Sequence, residues 1–173
     1  MNDAPAAAPA ATMAHARFQP DALDRAVAAG SVIILLAATT AVARGSVQWA
    51  QVPWAVWWHL ATVVPALALT PVMLLRRKGD SAHRWLGYVW VAALFTTAVI
   101  SFNIRELGAG HLSVIHVLSA LTAFQAPRIV LLARNGNVVA HRKAVRALAL
   151  GGLLIAGFFT FPFDRLLGHW LFG

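Results

Sequence analysis

Residues 54–84 read WAVWWHLATVVPALALTPVMLLRRKGDSAHR. From Trp54 to Leu75 there is no Asp, Glu, Lys or Arg, and as a helix rising 1.5 Å per residue this stretch matches a hydrocarbon layer of about 30 Å. Its ends differ. Trp54, Trp57 and Trp58 mark one end as an interfacial aromatic belt, whereas Arg76, Arg77 and Lys78 mark the other as cytoplasmic. Gly79 then suits a tight reversal, and His83-Arg84 begins another apolar stretch.

Four more stretches follow the same pattern, at about 26–43, 83–102, 113–133 and 141–161. The 173 residues are 60% hydrophobic and only 12% charged, too little polar surface to cover a soluble core of that size. In lipid every backbone polar group needs an internal partner, which leaves helices as the reading. The expected fold is an all-α membrane protein of about five transmembrane helices over residues 26–173. Residues 1–25, rich in Ala and Pro, are expected to form a mobile cytoplasmic tail. Ala41-Val42-Ala43 looks like a signal cleavage site, but the long acidic leader lacks a basic n-region, so the first span is expected to be retained.

The formal charge of +8 would suggest a nucleic-acid partner in a soluble protein. Here the cations lie between spans and act as topology signals, so no nucleic acid is expected. Arg17, Arg25, the turn from Arg76 to Arg84, and the turn flanked by Arg134, Arg142, Lys143 and Arg146 would face the cytoplasm. Arg44, Arg105 and Arg165 fall on the other side, with Trp49 and Trp170 joining the aromatic belt there. The expectation is a multi-pass protein of a bacterial inner membrane with a cytoplasmic amino terminus. Cysteine is absent, which excludes disulfides, thiolate metal sites and cysteine nucleophiles. No metalloprotease or nucleotide motif is present, and no Asp or Glu falls within the expected spans to carry a proton relay.

An internal duplication emerges when the segment from His59 is laid over that from His116. Leu74-Leu75-Arg76-Arg77-Lys78-Gly79 matches Leu131-Leu132-Ala133-Arg134-Asn135-Gly136, and after a one-residue insertion Ala82-His83-Arg84 matches Ala140-His141-Arg142. Leucine matches are cheap in membrane helices, but histidines at both ends are not. A repeat unit of two spans crosses the bilayer twice, so both copies enter in the same direction and equivalent residues lie at equivalent depths. Helices two to five are thus expected to form a four-helix bundle. It would place His59 with His116 near the outer face, and His83 with His141 near the cytoplasmic face.

Two imidazoles facing each other inside a helical bundle are what a low-spin haem iron needs as axial ligands. Two haems b follow as the expected cofactors, with His59, His116, His83 and His141 as iron ligands and with Arg84 and Arg142, and also Arg128, near the haem propionates. The two levels would be roughly 20 to 25 Å apart in depth. Such a protein would relay electrons between a quinone or periplasmic donor and a redox partner, leaving the chemistry to the cofactor.

Plainer readings stand beside this one. A histidine at a membrane interface is usually an amphipathic anchor, and each His-Arg step could serve a helix start and meet lipid phosphate. His111, in the Gly108-Ala109-Gly110 loop, reads as solvated, and His15 and His169 as unspecific. Thr62, Ser119, Thr122 and Gln125 would bond helix backbones or line a ligand cavity, while Pro65, Pro71 and Pro127 would bend their helices. Those polar groups and kinks also fit a small-solute transporter or channel, and the histidines and arginines also fit a structural or assembly subunit without cofactor.

His83-Arg84 with Gly87-Tyr88, His116 followed by Ser119, His141-Arg142, and Ala156-Gly157 leading to Phe159, Pro162 and Arg165 carry a family resemblance. From His83 to Arg165 the chain resembles the bacterial membrane family known as domain of unknown function 2306. That resemblance implies a multi-span membrane protein and no particular activity. The histidine layout is also similar to that of the ascorbate-reducible di-haem cytochromes b, which pair ligands between alternate helices of a four-helix core. The similarity is architectural, because those proteins typically have six spans.

Overall fold

A computed structural model describes residues 19–104, 114–162 and 165–173. Most of the expected tail, Arg105, and the loop with His111 lie outside the described residues, as do His15 and Arg17. Asp21 opens the first helix, α1 (Ala22–Arg44), through a capping box. Its side chain accepts from the Asp24 N–H at 3.0 Å, and the Asp24 carboxylate accepts from the Asp21 N–H at 3.4 Å. The helix therefore starts ahead of residue 26 and takes in Asp24, which composition alone assigns to the tail.

A 3₁₀ segment, Gly45–Gln51, continues α1, and α2 (Trp54–Leu75), α3 (Ser81–Ser101) and α4 (Val114–Arg134) follow. Then α5 (Val138–Leu148), a π-helical segment (Ala149–Ile155) and α6 (Ala156–Phe158) run on without a break, before α7 (Leu166–Phe172). Among the described residues there is no strand. Among the described residues four helices are long and apolar enough to cross a membrane: Ala22–Gln51, Trp54–Leu75, Ser81–Ser101 and His116–Arg134. The run over 138–158, where a fifth span is expected, opens with Arg142, Lys143 and Arg146 and is not one of the four.

Helix α3 packs between α2 and α4, α1 packs on α2, and α5 lies on α4, while the π segment touches both α1 and α4. The circuit of contacts closes around Val27, Leu67, Leu74, Trp90, Leu94, Ile129, Leu148 and Leu153. Outside it, Ile33, Leu36, Leu121 and Phe124 are exposed, an apolar girdle whose natural solvent is a lipid bilayer. Trp54 and Trp58 are also exposed, as interfacial residues should be. Trp170 departs from that expectation. It is buried against Gly45, where any Cβ would collide with the indole, and its Nε1 donates to Gln48 Oε1 at 2.7 Å.

The turns that follow α2 and α4 are built alike. Gly79 and Gly136 take φ values of 91° and 69°, the left-handed region that glycine enters without cost. Each is followed by a cap: Asp80 accepts from the His83 N–H at 2.6 Å, and Asn137 Oδ1 from the Ala140 N–H at 3.1 Å. The caps leave His83 and His141 in the first turn of their helices. A Cβ on Gly152 would stand 2.8 Å from Thr122 Oγ1, so glycine at this position of the π segment lets its backbone lie close to α4.

Candidate functional site

The turns just described meet the start of α1 around a cavity of about 340 Å³. Its apolar wall comes from Met73, Leu74, Trp90, Val91, Ile129, Val130, Ala133 and Val145, and its polar wall from His83, His141, Lys78, Arg84, Arg134, Arg142, Arg146, Tyr88 and Asp24. Five cations thus face one carboxylate beside a hydrophobic floor, a lining suited to an anionic amphiphile.

His83 and His141 both line this cavity. His141 Nδ1 lies 3.0 Å from the Ile129 carbonyl oxygen. A carbonyl can only accept, so Nδ1 carries the proton, and Nε2 is left with a free lone pair if the ring is neutral. His83 Nδ1 is buried and makes no hydrogen bond. One pinned imidazole and one with an unused buried nitrogen is a donor set that fits an iron needing two imidazoles.

The cations divide into two groups. Asp24, fully buried, accepts from Lys78 Nζ at 3.2 Å, Arg142 at 2.8 Å and Arg146 at 2.8 Å. Asp21 also accepts from Arg146, and from Arg142 at 3.4 Å, and Arg142 reaches the Gln19 carbonyl at 2.8 Å. Asp21 lies outside the spans, and the Arg146 hydrogen bond, helped by the Asp24 N–H, holds its carboxyl below the ordinary value. Arg142, expected near a propionate, is therefore already committed to α1. Arg84 donates instead to the Gly79 carbonyl at 2.9 Å, and Arg134 stands near the Tyr88 hydroxyl at 3.5 Å with its guanidinium 6.0 Å from the ring centroid. Arg128, the other cation expected there, bonds Gln125 on the exposed surface and does not line the cavity.

His59 and His116 lie at the opposite end of α3 from His83. His59 Nδ1 is 3.0 Å from Ser101 Oγ, which itself donates to the Thr97 carbonyl at 2.9 Å. His116 is buried, with its ring centroid 6.1 Å from that of Phe102, the residue after Ser101. Both rings thus reach one end of α3 through adjacent residues. Thr62 accepts from Thr97 Oγ1 at 2.6 Å and bonds back to its own helix, as expected for a polar group within a span. Among the described residues no three His, Asp or Glu gather as a metal site.

Asp24, Lys78, Arg134, Arg146 and Tyr88 are site residues that the histidine pattern does not reveal. Asp21 and Asp24, three residues apart ahead of an apolar run, are the one legible signal, since a capping box puts Asp24 in the first helical turn. No family model, no curated protein and no solved structure matches the chain.

Proposed function

We propose that the chain is a small b-type cytochrome of a bacterial inner membrane, with its amino terminus in the cytoplasm. In this reading the run over 138–158 is a fifth span, and α2, α3, α4 and that run form a four-helix bundle derived from the tandem repeat. One haem b lies between His83 and His141 and a second between His59 and His116. The resemblance to domain of unknown function 2306 belongs to the same reading, since His83-Arg84 and His141-Arg142 carry both.

The observation that supports it most is the shared cavity: His83 and His141 come to it from separate helices, and the Ile129 carbonyl holds His141 as the Nδ1–H tautomer. A bound haem supplies a one-electron centre. The chain orients the imidazoles, surrounds an apolar macrocycle with Met73, Trp90 and Val130, and offers cations to its carboxylates. Electrons would pass between a quinone or periplasmic donor and a redox partner on the other face.

The test is an optical one. Protein purified from haem-replete cells should give a b-type spectrum on reduction with dithionite, and replacing all four histidines should abolish it. A transporter or a cofactor-free assembly subunit would give no b-type band in the wild type, and that result would remove this reading.

A further inference from the structure

The duplication makes Arg84 the counterpart of Arg142 and Arg77 that of Arg134. Arg142 has a buried carboxylate partner, Asp24, brought by α1. There is one α1 for two repeat halves, so Arg84 receives no equivalent. Among the described residues no carboxylate pairs with Arg84 or with Arg134, although both line the cavity. Tyr88 lies one turn after Arg84 on α3 and holds Arg134 of α4 over its ring. Two guanidinium groups and a phenol therefore stand together at the rim of an apolar cavity.

We propose that Arg84, Tyr88 and Arg134 form an oxyanion notch, which takes the carboxylate or phosphate head of a membrane amphiphile whose apolar body lies along Met73, Trp90 and Val130. Guanidinium forks bind such heads with charge-assisted hydrogen bonds, and basic pockets between helix ends on the cytoplasmic side are where anionic headgroups settle. In the other half Asp24 plays the part of this anion from within the chain. The notch does not depend on the cytochrome reading, because a porphyrin carboxylate and a phospholipid phosphate share the required chemistry.

Two pairs of probes separate the sources. The full chain in zwitterionic nanodiscs is titrated with haemin and with haemin dimethyl ester, and in detergent it is examined by native mass spectrometry with phosphatidylglycerol and with phosphatidylcholine. For at least one anionic probe, Arg84→Gln combined with Arg134→Gln should weaken binding about tenfold or more, while the neutral counterpart binds unchanged. Arg84→Lys with Arg134→Lys should recover part of the loss, which separates charge recognition from misfolding, and Arg128→Gln should have no effect. Loss confined to haemin identifies a porphyrin carboxylate, and loss confined to phosphatidylglycerol identifies a lipid phosphate. If the wild type binds neither anionic probe more tightly than its neutral counterpart, or if the double glutamine variant binds both as the wild type does, the notch is refuted. Failure of the cytochrome reading is distinct: it is the absence of any b-type spectrum.

Discussion

The Nδ1–H of His141 donates to the carbonyl oxygen of Ile129 across 3.0 Å, tying the first turn of α5 to the last turns of α4. That bond fixes the ring's orientation and directs Nε2 away from the backbone, the usual arrangement of a ligating histidine. If His83 and His141 serve one iron, losing either should cost the same. His83→Ala and His141→Ala are each expected to remove the whole contribution of the inner site to the reduced spectrum, and the double variant to remove no more. Additive, partial losses would show that the two imidazoles act independently.

Asp24 is fully buried, while Lys78, Arg142 and Arg146 around it keep 15–23% of their side-chain surface exposed. Replacing the carboxylate leaves three cations facing one another. Because they retain some access to water, the cost should fall near the lower end for a broken buried pair, about 3 kcal/mol. Asp24→Asn should lower the thermal unfolding midpoint in detergent far more than Asp21→Asn, because Asp21 is half exposed. Equal shifts would mean that α1 is not anchored through Asp24.

Much of the architecture is legible in the sequence because membrane helices obey coarse rules. The limits Trp54 and Leu75 of α2 follow from tryptophan at one end and Arg76-Arg77-Lys78 at the other, and Gly79 and Gly136 mark their turns. Hydropathy does not report which cations are neutralised. Arg142 and Arg146 meet Asp24 from more than 100 residues away, and nothing local to either segment encodes that pairing. The close approach of Gly152 to Thr122 is equally hidden, since it joins the π segment to a separate helix. Trp170 illustrates the same limit: composition suits it to an interface, but a close approach to Gly45 buries it.

Trp90 and Thr70 join α2 to α3 beside the cavity. The indole Nε1 donates to Thr70 Oγ1 at 3.0 Å, and that hydroxyl donates to the Ala66 carbonyl at 2.7 Å. Both side chains are buried, so Thr70→Val strands an indole N–H where neither water nor lipid can accept it. The expected loss is about 1–3 kcal/mol. Thr70→Ser should retain most of the stability, as measured by thermal unfolding. Similar midpoints for Val and Ser would show that the hydroxyl contributes only volume.

Acid should weaken the helix starts at Asp21 and Asp80 in a defined window. The Arg146 hydrogen bond holds the Asp21 carboxyl below its ordinary value of 3.8, and the His83 backbone N–H, followed by the Arg76 side chain, does the same for Asp80. A carboxyl whose folded value is depressed contributes stability that is present above the unfolded value and lost as pH falls through the folded one. Both groups therefore stabilise the fold undiminished down to about pH 4, and their contribution disappears below it. The unfolding midpoint of the wild type should fall steeply below about pH 4, and Asp80→Asn should flatten that limb while still capping α3 through its amide oxygen. An acid limb as steep in Asp80→Asn and Asp21→Asn as in the wild type would show that other carboxylates control it.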